Sequence, residues 1–134
     1  MSKTILIASA VLLALATTAC QESIEERAQR EAREYTEKYC PTPPQNDVIT
    51  DSIVFNPQTR TQTSYLRFTG MIDNAETIRS HGDDIKKTLL ENIRQNTDLR
   101  QYKEAGFKFE YVCRSEKDPK QILLNMKYSP KDYN

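Results

Sequence analysis

Apolar residues form one dense block at the front of this chain and are spaced out thereafter. An apolar run interrupted only by Ser9 spans Ile5 to Ala16, followed by Thr17-Thr18-Ala19-Cys20. The run is roughly 12 residues, short of the ~20 that a membrane-spanning helix needs. From Ser23 the spacing becomes helical. Ile24, Ala28, Ala32, Tyr35 and Tyr39 recur at intervals of three and four, which predicts a helix over 24–39. Ser23 and Glu26 fit a capping box at its start, and Pro41 stops it. Two stripe positions are only alanine, so the stripe is strongest at its end. The expectation is a solvated stalk that docks through Tyr35 and Tyr39. Residues 42–47, with Pro43-Pro44, read as a stiff extended linker.

Period-two alternation then takes over. Val48-Ile49 and Ser52-Ile53-Val54-Phe55 predict a first strand, broken at Asn56-Pro57. Leu66, Phe68, Gly70 and Ile72 alternate with Tyr65, Arg67, Thr69 and Met71 and predict a second strand from about Thr63 to Ile72. A polar loop, Asn56 to Gln62, would join the two as a hairpin. Ile78, Ile85, Leu89 and Ile93 share one helical face, widened by Leu90, so a helix is expected from Asn74 to Gln95. His81-Gly82 is the point where it would break. A short helix with Leu99, Tyr102 and Ala105 follows, ended by Gly106. Phe107, Phe109, Tyr111 and Cys113 form the apolar face of a third strand. Ile122, Leu124, Met126 and Tyr128 form that of a fourth, ended by Pro130, with a loose tail after it.

The order is helix, hairpin, helices, hairpin. The economical packing is an α+β fold: a four-stranded antiparallel sheet with helices on one face. Residues 48–134 would make the small α+β domain. Residues 20–47 would make its N-terminus, stalk helix and Pro-rich linker.

Composition narrows this picture. The chain has 134 residues and 37% hydrophobic content, enough for one modest core. Basic and acidic residues balance at 19 each, so no basic surplus favours nucleic acid or an anionic membrane surface.

The first 20 residues have the order of a secretory signal: Lys3, the apolar run, then small residues. Cys20 directly after Thr18-Ala19 resembles the lipobox of bacterial lipoproteins. Thr17 stands where that family usually has Leu. The resemblance implies a signal peptide over 1–19, cleavage before Cys20, and attachment of a diacylglycerol to its sulfur, with palmitate-type acylation of the new N-terminus. An ordinary cleavable signal is the alternative. With Cys20 lipidated, the 3 cysteines leave one pair. Export to an oxidising compartment then favours a Cys40–Cys113 disulfide, with two free buried thiols as the other possibility. Leu89-Leu90-Glu91-Asn92-Ile93-Arg94 and Thr97 to Gly106 resemble small uncharacterised lipoproteins of Bacteroidales-type bacteria. That resemblance implies a Gram-negative envelope and an outer-membrane lipid anchor facing the periplasm or the surface.

The chemistry-bearing residues are sparse. The 1 histidine, His81, excludes a multi-His metal site and limits nucleophilic triads. His81-Gly82-Asp83-Asp84 reads as a helix start rich in acids rather than a cation site. With 3 glycines, at 70, 82 and 106, no phosphate-cradling loop can be built. No cofactor and no catalytic residue are expected. The functional expectation is a membrane-anchored, non-enzymatic module that holds a protein or glycan partner in the envelope. Tyr65, Arg67, Met71 or the Asn56–Gln62 loop would be its contact surface. A carboxylate-based hydrolase of envelope polymers is the alternative, and a secreted inhibitor or immunity-type protein a third.

Overall fold

The computed structural model describes residues 21–134. The lipobox stretch through Cys20 lies outside the described residues. The elements run α1 (Ile24–Tyr39), β1 (Val48–Asn56), β2 (Thr61–Phe68), a 3₁₀ turn (Gly70–Ile72), α2 (Ala75–Gln95), a second 3₁₀ turn (Thr97–Leu99), α3 (Arg100–Glu104), β3 (Lys108–Ser115), β4 (Ile122–Tyr128) and α4 (Pro130–Tyr133). The four strands form one sheet in the order β1-β2-β3-β4. Phe55, Phe68, Phe109, Cys113, Met126 and Tyr128 project into one core together with Ala28 and Ala32 of α1, Ile78 and Ile93 of α2, and Tyr102 of α3. The helices therefore cover one face, as the alternation implied.

The sheet is mixed rather than antiparallel throughout. β1–β2 and β3–β4 are antiparallel hairpins, but β2 and β3 run parallel, from Thr61↔Lys108 to Phe68↔Ser115. The cause is the length of α2. Its 21 residues, at about 1.5 Å each, run roughly 30 Å and traverse the sheet once. The chain is returned to the end where β2 began, and α3 is too short to send it back.

Local rules fix the helix ends. Ser23 and Glu26 cap α1 reciprocally, with Glu26 N–H donating to Ser23 Oγ at 3.1 Å. The Asn74 side chain accepts from the amides of Glu76 and Thr77 at the start of α2. Gly106 takes the left-handed φ of 79° that stops α3.

Five local expectations are corrected. First, α1 does not dock through its tyrosines. Tyr35 and Tyr39 are exposed, while Ala28 is 1% exposed and Ala32 is buried against the sheet. Small side chains let the helix axis approach β1 closely, and the tyrosines lie beyond the contact. Second, 42–47 is not an extended spacer. Asn46 and Asp47 both take left-handed φ, 52° and 63°, in a tight turn bridged by Gln45 and Val48. This lays the linker along the outside of β1. Third, β2 ends at Phe68, because Gly70 at φ 59° turns the chain into the 3₁₀ turn. Fourth, α2 passes unbroken through His81-Gly82. Fifth, the C-terminus is helical: Ser129 and Asp132 cap α4, and buried Tyr133 donates to the Phe107 carbonyl at 2.8 Å.

Two expected results arise from this packing. Gly82 lies inside α2 with no atom within 4 Å of a Cβ at its position. Gly82→Ala should stabilise the protein by about 1 kcal/mol, read as a higher denaturant midpoint at unchanged slope. A loss of stability would show that the site is not open.

Asp73 is the second case. Its carboxylate accepts from the Lys117 amide at 3.0 Å and pins the Gly70–Ile72 turn against the β3–β4 connection. Hydrogen bonding from Ser115, then from Lys117, holds its carboxyl below the usual carboxylate range. A depressed folded-state pKa contributes stability above the unfolded value of about 4 and loses it as pH falls through the folded one. Asp73→Asn should therefore cost about 1–3 kcal/mol at neutral pH and progressively less in acid. A loss independent of pH would contradict the assignment.

Candidate functional site

An apolar cleft of about 450 Å³ opens between α2 and the sheet. Val48, Leu66 and Phe68 floor it, Ile85 and Leu89 form the α2 wall, and Gln45 and Asn46 form the opposite wall. It follows from how the helices divide the sheet. α1 packs on β1 at one edge, and α2 packs on β4 at the other. Near the start of β1 the middle of the sheet is left without a helix above it. The α2 stripe shows this directly: Ile78 and Ile93 are buried near its ends, while Ile85 and Leu89 between them are only partly covered. The left-handed Asn46-Asp47 turn shapes the far wall, and Ile72 closes one end. Met71, next to Ile72 in the chain, is 85% exposed, an unbranched and adaptable side chain.

The charge at the mouth is acidic. Asp84 lines the cleft, and no Lys or Arg does. Asp47 stands beside Gly70, its carboxyl 3.1 Å from where a Cβ would sit. A cleft with an apolar floor and carboxylates at its rim suits an apolar segment flanked by basic residues.

A larger hollow of about 590 Å³ lies at the other end of the fold, around Lys108, Lys127, Lys131 and Thr59, Thr61 and Thr63. Its charges are partly matched: Lys127 pairs with Glu110 at 3.6 Å, and Asp132 accepts from the Ser129 amide at 2.8 Å. It is open, and apart from Tyr128 its lining side chains are polar.

The residues singled out by sequence are scattered. Tyr65 and Arg67 lie on the outer face of the sheet, and Arg67 is tied to Asp51 at 2.9 Å and Glu116 at 3.5 Å. Met71 is on the 3₁₀ turn, not on a strand. The Asn56–Gln62 loop contracts to a tight turn over Pro57–Arg60, because pairing extends to Asn56↔Thr61. His81 is exposed on α2, and among the described residues no three His, Cys, Asp or Glu side chains converge on a metal-sized site. The cleft has no motif of its own in the sequence: its one trace is the α2 stripe, in which Ile85 and Leu89 carry the same apolar spacing as buried Ile78 and Ile93.

Cys40 and Cys113 are separate free thiols, against the expected bridge. Thr42, just after Cys40, pairs with Thr50 from outside β1. Cys113 lies two strands further in, opposite Leu66, which is itself opposite Thr50. Two spacings of about 4.8 Å already exceed the ~7 Å Cα reach of a disulfide. Burial pushes the Cys113 thiol up to about 12, so it is neither thiolate nor nucleophile at neutral pH. With Cys20 replaced by serine, the native full chain should show one reactive thiol, Cys40, and a second only on unfolding. Absence of titratable thiol in unfolded, unreduced protein would restore the bridge.

A family model described as a domain of unknown function (DUF8479) matches residues 23–124. No curated protein matches the sequence. Among solved structures, a Pseudomonas aeruginosa protein assigned as secreted superposes with a TM-score of 0.68 at 18% identity, over 82% of this chain and 92% of that one. The pilotin EpsS of the Vibrio vulnificus type 2 secretion system gives 0.61 at 10% identity, over 82% and 91%. The type II secretion pilotin AspS of Vibrio cholerae gives 0.57 at 10% identity, over 81% and 90%. At these identities the likeness is one of fold.

Proposed function

Because the chain belongs to the DUF8479 family, whose description assigns no activity, we propose its function from the site: a membrane-anchored, non-enzymatic envelope protein that holds a partner protein in the α2 cleft. The carrying observation is that cleft, apolar on its floor, open to solvent and acidic at its rim. The occupant proposed is a short amphipathic segment of an envelope protein with Lys or Arg flanking its apolar face. The shared fold with two secretion-system pilotins supports a pilotin-like role, in which a tethered module accompanies a component of a secretion apparatus.

The anchor proposed is lipid on Cys20, after cleavage of residues 1–19, in the outer membrane. No helix among the described residues is long and apolar enough to cross a membrane, and two or more acyl chains hold a protein stably. Only Gln21, Glu22 and Ser23 separate Cys20 from α1, a span of at most about 14 Å. The start of α1, bound to the β1–β2 turn through Glu25 and Arg60, would therefore sit against the membrane. The cleft, beside the start of β1, would face away from it.

Two measurements test this. Cys20→Ser should shift the protein from the membrane to the soluble fraction; unchanged membrane attachment rejects the anchor. A photo-crosslinking residue in place of Leu89 should capture an envelope protein through an apolar segment flanked by basic residues, and one in place of exposed Glu91 should not. Ile85→Glu should abolish that capture. Equal capture from both positions, or capture that survives Ile85→Glu, rejects the cleft.

A further inference from the structure

The two edges of the sheet are treated in opposite ways. The β1 edge is sealed. Thr36 Oγ1 accepts from the Ile53 amide at 2.9 Å and donates to its carbonyl at 3.0 Å. Thr42 bonds both backbone groups of Thr50, and Gln45 bonds both of Val48. Along β4, no group among the described residues hydrogen-bonds the outward backbone from Ile122 to Tyr128. Exposed strand edges are templates for pairing, and proteins commonly block them; here one is blocked and the other is not.

Beside the open edge runs a groove of about 410 Å³ between β4 and α2. Ile78, Leu123 and Leu124 line it, and Ile122 is 49% exposed at its mouth. Gly82 lies on the α2 side with empty space where a side chain would stand. A glycine inside a helix is unfavourable by itself, and its absent side chain leaves room for another chain to approach. Arg79 and Lys86 line the groove against one acid, Asp83, and Lys120 precedes the strand. Neither Arg79, Lys86 nor Lys120 takes part in an ion pair among the described residues.

We propose that the β4 edge and this groove bind an extended, acidic segment of a partner protein as an added strand. Main-chain hydrogen bonds to β4 supply the attachment, and the side chains on the helix-facing side of the added strand, apolar and acidic in turn, enter the groove and meet Arg79, Lys86 and Lys120. A second copy of this chain is disfavoured as occupant, because edge-to-edge pairing would bring two sets of these cations together. The site shares no lining residue with the α2 cleft, so either can fail without the other.

The test uses the full-length protein in detergent and two short peptides with Thr at every second position, the positions between taken in turn by Val and Glu in one (the Glu/Val peptide) and by Val and Lys in the other (the Lys/Val peptide). The Glu/Val peptide should bind and slow amide exchange across 122–128, with the Lys/Val peptide at least about tenfold weaker. Gly82→Leu and the double change Arg79→Glu, Lys86→Glu should each weaken Glu/Val binding about tenfold or more without lowering the melting temperature. Absence of Glu/Val binding, equal affinity for the two peptides, protection on α2 or β1 instead of β4, or variants that bind as the parent does would each overturn the proposal.

Discussion

Phe107→Ala should remove about 3–5 kcal/mol of stability, a large part of what a domain this size has to lose. Phe107 is fully buried at the junction of α3 and β3. Its ring sits 4.7 Å from Phe55 and stacks on Tyr102 at 5.4 Å, between centroids. The Arg60 guanidinium lies 5.1 Å from the ring centroid on a further side, while Arg60 also donates to the Ala105 carbonyl at 2.7 Å. Tyr133 of α4 binds the Phe107 backbone. Removing the ring thus opens a cavity where α3, α4 and both hairpins meet, and no single element can collapse to fill it. Urea unfolding followed by circular dichroism measures the loss. A change below about 1 kcal/mol would mean that the junction repacks freely.

Ala28→Glu should be of similar size, about 3–5 kcal/mol, by burial of an unpaired charge. The contact of α1 with the sheet depends on Ala28 and Ala32. A carboxylate at position 28 must either lose its water or push the helix off β1, which would also unseal the strand edge that Thr36 closes. Tyr39→Glu, on the exposed end of the same helix, should change stability by no more than about 0.5 kcal/mol. The pair separates two packings of α1. If Tyr39→Glu were the damaging change, the helix would dock through its tyrosines.

How much was readable in advance depended on how far apart the interacting groups are. The Ser23–Glu26 box and the Gly106 stop each involve groups within a few residues, and both are where the sequence places them. The strand alternation of β3 and β4 likewise identified the core face, since period two needs no partner to be visible. The candidate site was less legible. Ile85 and Leu89 carry the same apolar spacing as Ile78 and Ile93. Nothing along α2 distinguishes a residue under another helix from one over bare sheet.

The sequence by itself determined the element types, their caps and order, the apolar faces, and the signal-like front ending at Cys20. Each is a matter of neighbours along one chain. Only the tertiary structure decided that β2 and β3 run parallel, because that rests on the length of α2 against the width of the sheet. It decided that α1 buries alanines and not tyrosines, because close approach of a helix to a strand rewards the smallest side chain. It kept Cys40 and Cys113 two strands apart, and it opened the cleft where α1 and α2 diverge over opposite edges. These outcomes depend on groups tens of residues apart competing for the same space, and no local pattern records who wins.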